Sequence, residues 1–219
     1  MTDFVGVVRG RSGRALLAAA AVLVAAGRLG AQDEGIKQTE RLIKASGATI
    51  QSIAEAKMRL QRTLDGYNAL LGDQAKDRRG AYKTLLKDMD ATRAKAEEAG
   101  KRRATMEQEA QGLFAGWSKS AEAISSEDLK KRSLQRLQDT QKRYDRILAE
   151  IKKARDQFDP VMKDLGDQVT YLGHDLNPSA TASLKPDAAK LNEKAAKLLA
   201  QVDEANKTAQ DYIDTLRPQ

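Results

Sequence analysis

Apolar side chains recur along most of this chain at alternating steps of three and four, with charged and polar residues between them. In the first such stretch Ile36, Ile43, Ile50, Leu64 and Leu71 share one heptad position, interrupted by Lys57, and Ile53, Leu60 and Tyr67 fill the companion position. In the second, Tyr82, Met89, Ala96, Ala110, Trp117 and Ile124 share a position interrupted by Arg103, beside Leu85, Ala99, Met106 and Leu113. The third carries Leu137, Tyr144, Ile151, Phe158, Leu165 and Leu172, beside Leu134, Leu148, Met162, Val169 and Leu176, with Gln141 and Arg155 interrupting. In the fourth, Leu184, Leu191, Leu198, Ala205 and Tyr212 alternate with Ala188, Ala195, Val202, Ala209 and Leu216. This spacing places an apolar seam along each of four helices, because a strand would alternate with period two.

The breaks agree with the periods. LGDQ at 71–74 and RRG at 78–80 loosen the first junction. SSED at 125–128 is an N-cap signal: a serine hydroxyl accepts from exposed amides, and Glu127 and Asp128 suit the positive helix end. Asn177 before Pro178 stops one helix and starts the next, and Pro186 either starts the fourth helix proper or bends it. The predicted helices span 34–72, 75–123, 127–175 and 179–216. Short connections make neighbours antiparallel. The fold class is therefore all-α, an elongated antiparallel bundle. The central hairpin of the second and third helices is expected to project beyond the shorter outer helices. Its tip carries Leu113, Phe114, Trp117, Ile124, Leu129 and Leu134.

Pro160 falls inside the third helix, where its ring removes one backbone hydrogen bond. With Phe158 on the seam, Pro160 lies two residues on, at the outermost point of the helix. Water then satisfies the freed Asp156 carbonyl, and the seam survives.

Composition changes the picture little. Aromatic residues make up 4% and charged residues 32%, which suits long amphipathic helices. The absence of cysteine removes disulfides, thiolate nucleophiles and zinc ribbons together. The N-terminus adds more. Arg9, Arg11 and Arg14 precede the apolar run ALLAAAAVLVAA, followed by small residues. That order predicts a secretory signal peptide over 1–31, cut after Ala31 or Ala26, and an exported bundle domain over 32–219. The other reading is an uncleaved anchor, although twelve apolar residues fall short of the roughly 17–25 that span a bilayer. The leader holds four arginines and one aspartate, so the net charge of +7 falls to about +4 in the exported part. That mild excess fits an anionic membrane or cell-wall surface without specifying one.

Candidate chemistry is sparse. His174 is the only histidine and stands beside Asp175 near a helix C-terminus. A general base oriented by a carboxylate would look like this, but a charged helix end favoured by the dipole needs no further partner. A di-iron bundle requires two Glu-x-x-His pairs, which one histidine cannot supply. No Gly-rich phosphate loop occurs. The basic clusters Lys101–Arg103, Lys130–Arg132 and Lys152–Lys153 do not form an uninterrupted face. Glu97 and Glu98 stand four residues before Lys101 and Arg102, and Glu127 and Asp128 four before Lys131 and Arg132, which marks solvated helix surfaces rather than a nucleic-acid footprint. Lys57, Arg103, Gln141 and Arg155 interrupt the seams, and read as residues that fix register or snorkel to the bundle edge. No catalytic, metal or cofactor residue is expected, and the chain is read as a non-enzyme.

GLFAGW, LKKRSLQRLQDTQKRYDRIL, FDPVMKDLGDQVTYLGHDLN and ATASL together resemble a bacterial family of secreted or lipid-anchored, coiled-coil-rich helical proteins, a domain of unknown function. The resemblance covers most of the exported part and is densest from Leu113 to Leu184. It implies an envelope protein and no established activity. Many relatives look like lipoproteins with a cysteine at the cleavage site. This chain has none, so the lipid anchor does not carry over. The function expected is binding or structural, with a peripheral membrane-associated protein as the alternative. The expected partners are an envelope protein or membrane surface and, through the seams, further copies of the chain. The hairpin tip is the expected contact, with Trp117 either capping the hairpin core or serving as an exposed aromatic anchor.

Overall fold

The computed structural model describes residues 13–72 and 77–217, with side chains from residue 33 onward. It consists of α1 (Gly13–Leu71), α2 (Arg78–Glu122), α3 (Glu127–His174), a short α4 (Pro178–Ser183) and α5 (Lys185–Leu216). No strand occurs among the described residues, and the helices form the elongated all-α bundle that the seams predict. None of the described helices is long and apolar enough to cross a membrane.

Cross-helix pairs fix the directions. Arg59–Asp88, Lys95–Glu55 and Arg41–Glu109 run down α1 as they run up α2. Lys57–Asp203 and Asn68–Asn192 tie α5 antiparallel to α1, and Lys194–Asp164 and Gln201–Glu150 tie it antiparallel to α3. The order around the bundle is therefore α1, α2, α3, α5. Contact is most extensive between α1 and α2 and thinnest, among neighbouring long helices, between α2 and α3.

Small polar side chains explain the close α1–α2 approach. Thr63 and Thr92 are fully buried, and their hydroxyl oxygens lie 2.8 Å apart across the interface. Each hydroxyl also lies within hydrogen-bond reach of a main-chain carbonyl of its own helix, Arg59 at 3.0 Å and Asp88 at 2.8 Å. A leucine at either position would hold the backbones apart.

Two cores follow one another along the axis. Beside α4 lies an aliphatic one, containing Leu60, Leu64, Leu85, Leu165, Leu172 and Leu191. Toward the α2–α3 turn lies a smaller one built on Leu42, Met106, Leu113, Tyr144, Ile147 and Tyr212. The Phe114 and Tyr144 rings meet edge-on at 5.6 Å, and Tyr144 and Tyr212 lie 6.1 Å apart.

The caps explain the helix ends. Ser126 Oγ accepts from the Leu129 amide, and Asn177 Oδ1 accepts from the Ala180 amide at 2.8 Å. Pro178 then occupies the first turn of α4, and Pro186 the first turn of α5. Pro160 stays exposed inside an unbroken α3, as its outward position requires.

Three boundaries differ from expectation. RRG is the first turn of α2 rather than a loosened junction, because Asp77 caps it by accepting from the Gly80 amide at 2.8 Å. The helix expected over 179–216 divides at Leu184 into α4 and α5. The helix expected from 34 begins at Gly13, since nothing between there and Leu71 breaks the helical backbone. Residues 1–12 of the expected leader lie outside the described residues.

The α2–α3 hairpin accordingly overhangs on one flank only. α5 has 32 residues against 48 in α3, a difference of about 24 Å at 1.5 Å per residue. It ends at Leu216, level with Thr39 and Arg136. α1 instead accompanies α2 to the turn, with Glu34, Gly35 and Ile36 beside Lys119, Ser120 and Ala123.

Candidate functional site

The expected tip residues divide by depth. Leu113 is buried in the second core, and Phe114 packs half-buried against Tyr144. Trp117 is also half-buried, and its indole N–H donates to Ser133 Oγ at 3.1 Å. One side of that indole faces Ile36 and Gln38 of α1, and the other faces Arg136, Thr140 and Leu216. Trp117 therefore stands at the edge of the second core, between two surface pockets.

Ile124 is half-buried in the turn, and Leu129 beyond it is 51% exposed. Across the same end Ile36 is 56% exposed, although it opens the α1 seam. The seam pattern assigned Ile36 to the core. The shortness of the fourth periodic segment was the signal that nothing would cover it. Around these side chains the charges alternate in sign: Lys130 pairs with Glu122, Arg132 with Asp128, and Lys37 with Asp33. The end thus combines a few uncovered apolar groups with a mixed, largely self-neutralised charged rim.

A second feature lies at the waist, where the two cores meet. All four long helices line a cavity of about 110 Å³. Small residues create it: Ala56, Ala96, Ala99, Gly100, Ala154 and Ala205 stand where larger side chains would fill the space. Three of the four seam-interrupting residues, Lys57, Arg103 and Arg155, reach its edge from α1, α2 and α3. Each turns outward to an acid: Lys57 to Asp203, Arg103 to Glu107, and Arg155 to Asp159 at 3.5 Å. The Arg155 guanidinium also lies 5.7 Å from the centre of the Phe158 ring. Snorkelling at the bundle edge, as read from sequence, describes each residue singly. Their meeting at one cavity is what the sequence reading missed.

With this geometry established, the sequence was compared with known proteins. The pattern of a family described as Protein of unknown function (DUF2959) matches residues 30–216. The chain belongs to this family. The DUF2959 match takes in the α2–α3 end, the waist and both cores, and leaves residues 1–29 outside. It agrees with the resemblance to a domain of unknown function. Comparison with curated proteins yields no match, and comparison with solved structures yields none.

Other sequence candidates in this DUF2959 chain do not assemble. His174 is exposed at the end of α3, while the Asp175 carboxylate accepts from the Asn177 amide and side chain at 2.9 and 2.7 Å. No hydrogen bond joins His174 to Asp175 among the described residues. The basic clusters are laced with acids, including Lys152–Asp156 at 2.6 Å and Lys153–Glu150 at 2.8 Å. Burial pushes the Tyr67, Tyr144 and Tyr212 phenols well above their ordinary range. Only Tyr67 has a hydroxyl partner among the described residues, Gln168.

Proposed function

We propose that this protein is an exported, non-catalytic helical bundle of the bacterial envelope, which works by docking the α2–α3 end against another envelope protein. The observation that carries the reading is the pair Ile36 and Leu129, both more than half exposed where α5 has already ended. An apolar centre with a polar rim is the composition of protein contacts. The self-neutralised rim supports a protein partner over an anionic bilayer, which would favour an unpaired cationic patch. The basic–apolar–small order of the first 31 residues supports export, as does their near-complete absence from the family match.

Photo-crosslinking in cells tests this, with the reactive group at Leu129 or Ile36 and a control at Lys153 on the bundle side. A protein adduct from the two end positions alone is expected. Adducts from Lys153 instead, or lipid adducts alone from the end, overturn the docking reading.

One observation favours a second reading. α1 runs unbroken from Gly13 past the same end, so an uncut leader would hold that end toward a membrane. Sequencing the mature N-terminus separates the two: a start at Gln32 or Gly27 supports export, and an intact Arg9–Arg14 segment supports retention.

A further inference from the structure

The waist cavity has two halves of different chemistry. Its wall is aliphatic, with Ile53, Leu60, Leu198 and Val202 from the flanking seams. Its edge toward the α2–α3 groove carries Arg103 and Arg155. This groove lies between the neighbouring long helices that touch least. Gly100 and Arg155 line the cavity and are exposed, so it reaches the surface there.

We propose that this cavity binds the alkyl chain of a single-chain anionic amphiphile, with its carboxylate held by Arg103 and Arg155. Four arguments select that class. The interior offers almost no polar partner, so the buried part of the ligand must be hydrocarbon. The volume of 110 Å³ is somewhat below the ~150 Å³ of an engineered apolar cavity that takes up benzene, so it holds the end of one chain and not a two-chain lipid. The remaining methylenes then lie in the α2–α3 groove, where the guanidinium groups meet the head. A guanidinium has five N–H donors in a planar fork, so each arginine can keep its acid, Glu107 or Asp159, while donating to a carboxylate.

The occupied acids also set the strength of the arrangement. Both are i,i+4 partners on helix surfaces, a type of pair that holds its arginine weakly. Reorientation of either guanidinium toward a ligand therefore meets little resistance. Lys57 is committed to Asp203 on the far, α1–α5 side and takes no part in head binding.

The site is separate from the docking end, so the two readings stand or fall independently. Titration of purified full-length chain with sodium decanoate, and in parallel with neutral 1-decanol, tests it by calorimetry and by the thermal midpoint. One decanoate is expected to bind per chain, saturably and below its micelle concentration. Ala99→Leu, which fills the cavity from α2, is expected to abolish binding of both compounds while circular dichroism stays helical. Gly100→Leu is the second blocking variant, because an added Cβ there meets no atom within 4 Å and Gly100 lines the cavity mouth, with circular dichroism again checking the fold. Arg103→Gln with Arg155→Gln is expected to weaken decanoate roughly a hundredfold, the loss of two charge-assisted hydrogen bonds, and to leave decanol unchanged. Absence of saturable one-to-one decanoate binding overturns the proposal. So does wild-type affinity in a folded blocking variant, or an equal response of decanoate and decanol to the arginine changes.

Discussion

The two cores of this bundle are built to different standards. Beside α4 the core is aliphatic, continuous across four helices, and its deepest phenol, Tyr67, is bonded to Gln168. Toward the α2–α3 turn the core is narrower and aromatic, and the hydroxyls of Tyr144 and Tyr212 are buried with no partner among the described residues. The α4 end bonds the phenol it buries. The other carries uncompensated polar atoms next to surface that α5 leaves open. The α4 end is therefore the more completely packed one, and the end that α5 leaves open is the less. An unpaired buried hydroxyl generally costs about 1–3 kcal/mol.

The largest expected effect probes the aliphatic core. Leu172 is fully buried, so Leu172→Ala should lower unfolding stability by roughly 3 kcal/mol, read from urea midpoints. Half-buried Phe114 in the aromatic core should cost markedly less on Phe114→Ala. Equal losses would remove the distinction between the two ends.

A sharper comparison uses the phenols themselves. Tyr67→Phe breaks a hydrogen bond and should destabilise by about 1 kcal/mol, while Tyr144→Phe removes only an orphaned hydroxyl and should be neutral or stabilising. Opposite signs confirm the contrast, and matching losses refute it.

At the waist between the cores, Gly100→Ala should raise stability by roughly 0.5–1 kcal/mol. An added methyl there meets nothing within 4 Å, and alanine is the better helix former. A loss would show that the α2 backbone at the waist needs its glycine.

The smallest effect is on the acid limb. Hydrogen bonds from Lys95 and then Gln51 hold the Glu55 carboxyl below its usual range, and Lys153 and Gln201 do the same for Glu150. Depressed carboxyls stabilise the fold above the unfolded value near 4.3, and this contribution is lost as pH falls through their folded values. Urea midpoints should therefore drop below about pH 4, and Lys95→Met should shallow that drop. Both cores should feel it alike, since Glu55 and Glu150 pair near the waist.

Much of this was legible in the pattern of apolar residues. Leu60, Leu64, Tyr67, Leu85, Met89, Tyr144, Leu165, Leu172, Leu191 and Leu198 stand at seam positions, and all are buried. A heptad reports which face of a helix turns inward, so these assignments needed no tertiary information. Ile36 failed because its face is correct but its cover is missing, and cover depends on where another helix ends. RRG failed because its glycine looked like a break, while the capping carboxylate of Asp77 was overlooked. The cavity was beyond reach for a related reason. Lys57, Arg103 and Arg155 were each visible as an interruption, but their convergence depends on the level each helix occupies along the bundle axis.

That level has a physical determinant in Thr63 and Thr92. A repeat of seven accepts an offset of seven almost as readily as the true alignment. Moving α1 by one repeat against α2 would bring Thr63 opposite Leu85 or Ala99, and Thr92 opposite Ala56 or Leu70, leaving each hydroxyl only its own-helix carbonyl and setting larger apolar side chains against the threonines or smaller ones away from them. The threonine contact thus acts as an address in an otherwise uniform zipper, selecting the one alignment that opens the waist.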